Sequence, residues 1–254
     1  TATDGNHGRG VAWAARTLGY HAVIFLPRGT ARSRIAAIEA TGAEAIVTEL
    51  TYDDAVRQAR KIAKDRGWVV VQDTAWDGYE EIPSWVLQGY LTMADEAADQ
   101  LALEGVEAPT HVFLQAGVGT MAAALAGYLA HRYRPLPRIL VVEPDRADCF
   151  FVSAAAGDGM PHPSEGDLVS VMAGLCCGEP NPQAWPVLDD LACAFLRCRD
   201  HAAALGMRLL ARPLPGDPEV RSGESGAVGP GLLYLLATRE VYAPLREALD
   251  LGPH

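Results

Sequence analysis

Residues His111–Leu125 read HVFLQAGVGTMAAAL. A β-branched and aromatic run ends at Gly117-Val118-Gly119-Thr120 and passes at once into alanine-rich sequence with helical spacing. Strand, two-glycine turn and helix in that order aim unpaired backbone N–H groups and the positive end of a helix dipole at one point, which suits an anion such as phosphate. Two glycines also suffice for a plain strand-to-helix turn, so this segment alone leaves both readings open. A third glycine of the dinucleotide fingerprint is missing, and no acidic residue follows a second strand at the required distance. A single phosphate therefore fits better than a dinucleotide.

Outward from this segment, further short apolar runs recur at His21–Leu26, Ala43–Leu50, Trp68–Gln72 and Arg138–Val142, separated by stretches of helical periodicity. The alternation predicts βαβ units and a mostly parallel sheet, an α/β fold. Thr30 is placed to cap a helix over Ala31–Ala40 that stops at Gly42. Tyr52–Arg66 gathers Tyr52, Ala55, Val56, Ala59, Ile62 and Ala63 on one helical face, with Lys61 and Lys64 on the other. Between Asp73 and Ser84 an aromatic, acidic loop interrupts the pattern before a helix from Trp85 to about Leu103. The boundary between two lobes is expected there, residues 1–74 against 75–254. Beyond Val142 come a Gly/Pro-rich loop at 157–163, a strand at Cys193–Arg199, and helices near Ala202–Ala211 and Glu224–Leu236.

The 254 residues are 49% apolar and 21% charged, with 25 glycines and 17 prolines, which excludes disordered, collagenous and coiled-coil chains. Twenty-one Lys and Arg against 32 Asp and Glu give a formal net charge of −11. No basic footprint for nucleic acid or an anionic membrane surface follows from that balance, and a small-molecule partner is favoured. No apolar run approaches the ~18 residues that span a bilayer, and no leader opens the sequence, so the cytoplasm is the expected compartment. Only Lys61 and Lys64 are lysines. The cysteines are Cys149, Cys176, Cys177, Cys193 and Cys198; without CxxC spacing they indicate neither zinc nor a disulfide scaffold, and buried thiols are expected. A pairing of Cys149 with Cys176 or Cys177 stays open.

The densest polar cluster is Thr1-Ala-Thr-Asp-Gly-Asn-His-Gly8, opening a helix over Arg9–Leu18. Asp4 or Asn6 can serve as a plain cap. Yet Thr, Asp, Asn and His beside two glycines offer more chemistry than a cap requires: N–H groups for a carboxylate and a side chain for proton transfer. Several other groups keep two readings each. Glu143, in VEPD, suits a ligand role or turn and capping duty. His7 suits support of the loop or plain packing. Glu224 and Ser225 can approach a ligand or cap a helix, and Trp76–Tyr79 can act as a lid or pack between lobes.

Taken in order, TATDGNHG (1–8), QDTAWDGY (72–79), QAGVG (115–119), VEPDRADC (142–149), AGLCCGEPNP (173–182) and RSGESGAVG (221–229) resemble the 2,3-diaminopropionate ammonia-lyases. These are fold-type II pyridoxal-phosphate enzymes, two-lobed and similar to the β subunit of tryptophan synthase. The T-x-GNHG element and the glycine loop are shared widely across fold-type II; Asp4, Asp73 and the GEPNP segment are more particular. The resemblance runs from Thr1 to about Tyr234 and fades beyond residue 237.

The resemblance implies that Gly117, Val118, Gly119 and Thr120 bind the phosphate of pyridoxal 5'-phosphate, in agreement with the helix-terminus argument. By the same resemblance Asn6 hydrogen-bonds the cofactor's 3-hydroxyl, and Thr3 with nearby N–H groups holds the substrate carboxylate. Asp4 is then a general base at Cα, and Asp73 lies near the substrate's amino end and assists proton traffic, both being catalytic and substrate-binding. It further implies a small amino-acid substrate, a homodimer and no metal. The family's Schiff-base lysine precedes TATDGNHG, and the residue facing the pyridine nitrogen comes from a strand near the C-terminus; neither segment is expected in this sequence. Lys61 and Lys64, on a polar helix face, cannot replace that lysine. Two rival functions are kept: a serine or threonine dehydratase of the same fold, and a non-catalytic protein that retains the phosphate loop.

Overall fold

Alternating apolar runs and amphipathic stretches fold as two parallel sheets flanked by helices. The computed structural model describes residues 1–3 and 5–252. In chain order, α1 (Asn6–Leu18), β1 (Val23–Leu26), α2 (Arg32–Glu39), β2 (Glu44–Val47) and α3 (Tyr52–Arg66) build the first layer. Strands β1 and β2 pair in parallel with Val23 opposite Glu44, and Ala2 bridges Phe25 on the other edge of β1. The second layer holds α4 (Glu81–Leu103), β3 (His111–Gln115), α5 (Thr120–Arg132), β4 (Arg138–Pro144), α6 (Cys149–Ala156), α7 (Trp185–Leu191), β5 (Ala192–Cys198), α8 (Asp200–Ala211), α9 (Glu224–Thr238) and α10 (Ala243–Ala248). Its three strands are parallel in the order β3-β4-β5.

Strand β4 explains why the larger sheet reads as an unbroken apolar run. Ile139 and Val141 face one core with Leu114, Phe150, Trp185 and the alanines of α5. Leu140 and Val142 face the opposite core with Met172, Ala202, Val228 and Leu232. Burial on both faces is the rule for parallel sheets covered by helices, and it removes the polar alternation of a half-exposed strand. Helix α5 contributes buried Ala122, Ala123, Ala124 and Ala126 to this packing.

Four local expectations are corrected. Residues Trp68–Gln72 form no strand, because side chains take their backbone groups where a neighbouring strand would. Tyr79 Oη donates to Val70 O and accepts from Gln72 N, both at 2.9 Å, and His7 Nε2 lies 3.1 Å from Val71 O. Thr30 does not cap α2: its hydroxyl donates backwards to Pro27 O at 2.8 Å, and Ala31 occupies the N-cap. Helix α1 starts at Asn6 with Gly5 as N-cap and no side-chain cap, so Asn6 is the first helical residue and not a cap. The thiols are not uniformly buried, since Cys193 is exposed and Cys176 half-buried.

Candidate active site

The two-glycine turn joins β3 to α5. Ala116 N–H closes the end of β3 on Val142 O at 3.0 Å, after which Gly119 takes the left-handed conformation, φ +89° and ψ −6°. A side chain there is excluded twice over: the conformation disfavours one, and a Cβ would lie 2.2 Å from Cζ of Phe150. Helix α5 then begins without a side-chain cap. Among the described residues no hydrogen bond uses the N–H groups of Gly117, Val118, Gly119 or Thr120. Buried, uncapped donors at a helix N-terminus ask for an anion.

Thr120 itself is turned away from that anion site. Its hydroxyl donates to the main-chain oxygen of Asp73 and accepts from Asn181 Nδ2 at 2.7 Å. One hydroxyl has a single proton, so the phosphate-binding part expected of Thr120 falls to its backbone N–H.

Across the cavity stands Asp73. Tyr52 Oη donates to its Oδ1 at 3.1 Å, and Gln72 Nε2 donates to the same oxygen at 3.1 Å. Burial and the Asp73 charge push the Tyr52 phenol well above its ordinary range, which keeps the proton on Tyr52 and the hydrogen bond in place. Tyr90 is pushed the same way by burial and by Asp73. Gln72 is fully buried; its Oε1 accepts from Ala2 N at 3.0 Å and Thr1 Oγ1 at 2.8 Å, and its Nε2 also donates to Ala2 O. The amide thereby fixes the start of the TATDGNHG loop to the irregular segment that carries Asp73.

Within that loop Thr3 is buried and its Oγ1 accepts from Gly5 N at 3.0 Å and Gly8 N at 3.3 Å. Gly8 permits this fold-back, since a Cβ there would sit 2.1 Å from Thr3 Cγ2. The Thr3 proton remains available to the cavity. Asn6 is exposed on the cavity wall. Asp4 lies outside the described residues.

Thr3, Asn6, Asp73 and the Gly117–Thr120 turn line one cavity of about 590 Å³, together with Tyr52, Tyr90 and Glu224. Every expected site residue within the described chain is therefore brought to one place. Lys61 and Lys64 are exposed on α3 and take no part. At the mouth, Arg34 of α2 pairs with Glu224 at the start of α9, 3.4 Å apart. Glu143 resolves to the capping alternative. It is fully buried beneath the site and accepts from Phe150 N at 2.9 Å and Phe151 N at 2.7 Å, with its carboxyl pushed up to about 8 by burial. Trp76 and Tyr79 stack on each other at 4.1 Å with Arg60 over Trp76, and Trp76 packs against the core that Phe25, Ala55 and Ala59 form in the first layer.

Three groups escaped the sequence reading. Tyr52 stands in a helical apolar stripe, where its ring reads as core and its hydroxyl leaves no trace. Asp53, next to it, is buried with its carboxyl raised to about 6 by burial, and accepts from Gly178 N at 2.9 Å. Asn181 sits in the quoted GEPNP motif, whose spacing carried no hint of a role.

The donor set suits a phosphorylated cofactor, and comparison with known proteins agrees. A family model described as pyridoxal-phosphate dependent enzyme matches residues 1–223, and the chain belongs to that family. Within it, the chain is similar to the diaminopropionate ammonia-lyase of Salmonella typhimurium, 51% identical over 253 residues that cover 99% of this chain and 63% of that relative. The crystal structure of the Escherichia coli diaminopropionate ammonia-lyase in complex with D-serine superposes with a TM-score of 0.91 at 51% identity, over 98% of this chain and 62% of that one. The biosynthetic L-threonine dehydratase of Salmonella typhimurium is more distant, 27% identical over 169 residues, 65% of this chain and 30% of that relative. The chain thus spans roughly three fifths of the ammonia-lyases it matches, and the likeness continues past residue 237, where the sequence motifs alone faded.

Proposed function

We propose that this chain forms the greater part of a pyridoxal-phosphate-dependent ammonia-lyase acting on D- and L-2,3-diaminopropionate. The observation that carries this reading is the meeting of the uncapped α5 terminus and the Asp73 carboxylate in one cavity, in a chain half identical to such lyases. Overall the reaction consumes one water and yields pyruvate and two ammonia. Bound here, the cofactor supplies the electron sink for the pair released at Cα.

The protein's share is positioning and proton transfer. Backbone N–H groups from Gly117 to Thr120 would hold the phosphate, and Asn6 would hydrogen-bond the cofactor's 3-hydroxyl. The N-terminus of α1, with the Thr3 hydroxyl, takes the substrate carboxylate. Among the described residues the hydrogen bonds to the Asp73 carboxylate come from Tyr52 and Gln72 and fall on Oδ1, so Oδ2 is the atom assigned to exchange a proton with the substrate's amino end. Asp4 is assigned the base at Cα by its place in the TATDGNHG motif. Neither lysine of this chain reaches the cavity, so the covalent anchor belongs to sequence outside it. Residues 1–74 form most of a small lobe and 75–254 most of a large one. A homodimer in the cytoplasm completes the proposal; no helix among the described residues is long and apolar enough to cross a membrane.

The test is pyruvate release by the full-length holoenzyme, followed with a coupled dehydrogenase. Diaminopropionate is expected to exceed serine and threonine by at least about tenfold in kcat/KM. Equal rates would favour the dehydratase reading, and no pyruvate from any of them the non-catalytic one.

A further inference from the structure

Asn181 is completely buried, and every polar atom of its side chain is committed. Oδ1 accepts from Ala75 N at 3.2 Å and Gln183 N at 3.0 Å. Two N–H donors at that atom identify it as oxygen, which makes the other terminus the amide nitrogen. Nδ2 donates to Asp73 O at 3.2 Å and Thr120 Oγ1 at 2.7 Å, while the Thr120 hydroxyl donates to the same Asp73 oxygen. The backbone N–H of Asn181 donates to Val118 O at 2.9 Å. One residue from the 173–182 segment therefore grips the glycine turn at Val118 and Thr120, and the acid-bearing turn at Asp73 and Ala75.

We infer that Asn181 is a positioning residue that sets the distance between the cofactor's phosphate seat and the Asp73 carboxylate. This rests on the function proposed above. The two ends it joins come from different parts of the chain, 47 residues apart. Apart from Asn181, the Thr120 hydroxyl is the group that crosses between them at this point. Its proton is directed to Asp73 O because Asn181 Nδ2 fills its acceptor side; without that donor the hydroxyl is free to rotate towards the cavity. A phosphate held at one end and a carboxylate at the other need a fixed spacing, since a shift of about 1 Å costs up to about a hundredfold in rate.

The experiment uses the full-length holoenzyme and the variants Asn181→Asp, Thr120→Val and their combination. Asn181→Asp keeps the volume and the Oδ1 acceptor but replaces the Nδ2 donor by a carboxylate oxygen. The donation to Asp73 O and Thr120 Oγ1 is then lost and a buried charge is introduced, which lowers the melting temperature as well. Cofactor affinity is read by titrating pyridoxal phosphate into cofactor-stripped protein, alongside the melting temperature and steady-state kinetics. Each single variant is expected to weaken cofactor binding and to lower kcat by about 10- to 100-fold, with KM changed less than about threefold. The combination is expected to be scarcely worse than either single variant, because both break the same node. A drop in melting temperature with cofactor affinity and kcat retained would show a purely structural asparagine and overturn the inference, as would additive losses. Should Asn181→Asp fail to fold, Thr120→Val judges the node by the same readouts. Cofactor affinity needs no substrate, so a wild type inert towards diaminopropionate sinks the proposed function while this inference is still decided.

Discussion

Tyr52 Oη donates a hydrogen bond to Oδ1 of Asp73 at 3.1 Å, from the first turn of α3 to the end of the segment that follows the same helix. Helix and acid are thus joined before any ligand enters, and among the described residues no hydrogen bond falls on the second carboxylate oxygen.

Tyr52→Phe removes that donor and keeps the ring. Gln72 Nε2 then holds Oδ1 alone. The expected outcome is a fall in kcat of about tenfold or more, with a stability loss of only about 1 kcal/mol, measured by steady-state kinetics and chemical denaturation. Unchanged kcat would show that the carboxylate needs no second anchor.

Gly119→Ala is expected to be severe. The φ of +89° and the Phe150 ring 2.2 Å from the new methyl group both oppose it. A loss of about 2 kcal/mol or more and of cofactor binding is expected. Phe150→Leu in the same background relieves the contact but not the backbone, so only part of the stability returns on thermal melting.

Asp53 gives the fold a pH dependence of a defined sign. Burial raises its carboxyl from 3.8 to about 6 in the folded protein. The folded state holds this proton more tightly than the unfolded chain, so the contribution is full below pH 4 and is lost as pH rises through 6. Asp53→Asn keeps an oxygen for Gly178 N–H and removes the titration. Stability at pH 7 is expected to rise by about 1–2 kcal/mol, and the slope between pH 4 and 6 to flatten in denaturant titrations. A slope identical to wild type places the titration elsewhere.

Lys61→Ala with Lys64→Ala is expected to leave cofactor absorbance and kcat of the full-length enzyme unchanged, because both ammonium groups lie in solvent on α3. A loss of the bound-cofactor absorbance band in this variant would contradict the placement of the anchor outside this chain.

Periodicity made the larger sheet legible: β3 and β4 fall where apolar runs end in turn residues, and the alanine-rich stretch after Gly119 is helical. Trp68–Gln72 was misleading because composition reports a preference for extended backbone, and not whether another strand lies alongside. The uncapped head of α5 is readable because a strand, two glycines and a helix fix where N–H groups point. Tyr52, Asp53 and Asn181 were not, since each acts through one polar atom whose partner is distant in sequence. Thr120 shows the same limit: it lines the cavity with the glycine turn, yet the direction of its hydroxyl depends on Asn181, 61 residues away.

The alanines of α5 carry a last consequence. Ala122, Ala123, Ala124 and Ala126 are buried where larger residues usually fill a core. Alanine has no rotamers to freeze, so these four positions are seated with almost no loss of side-chain entropy on folding. The N–H groups at the head of α5 are consequently aimed before a phosphate arrives. Tight binding at that end of the site would come from an absence of motion, and enlarging Ala123, Ala124 or Ala126, none of which lines the cavity, is expected to disturb it from behind.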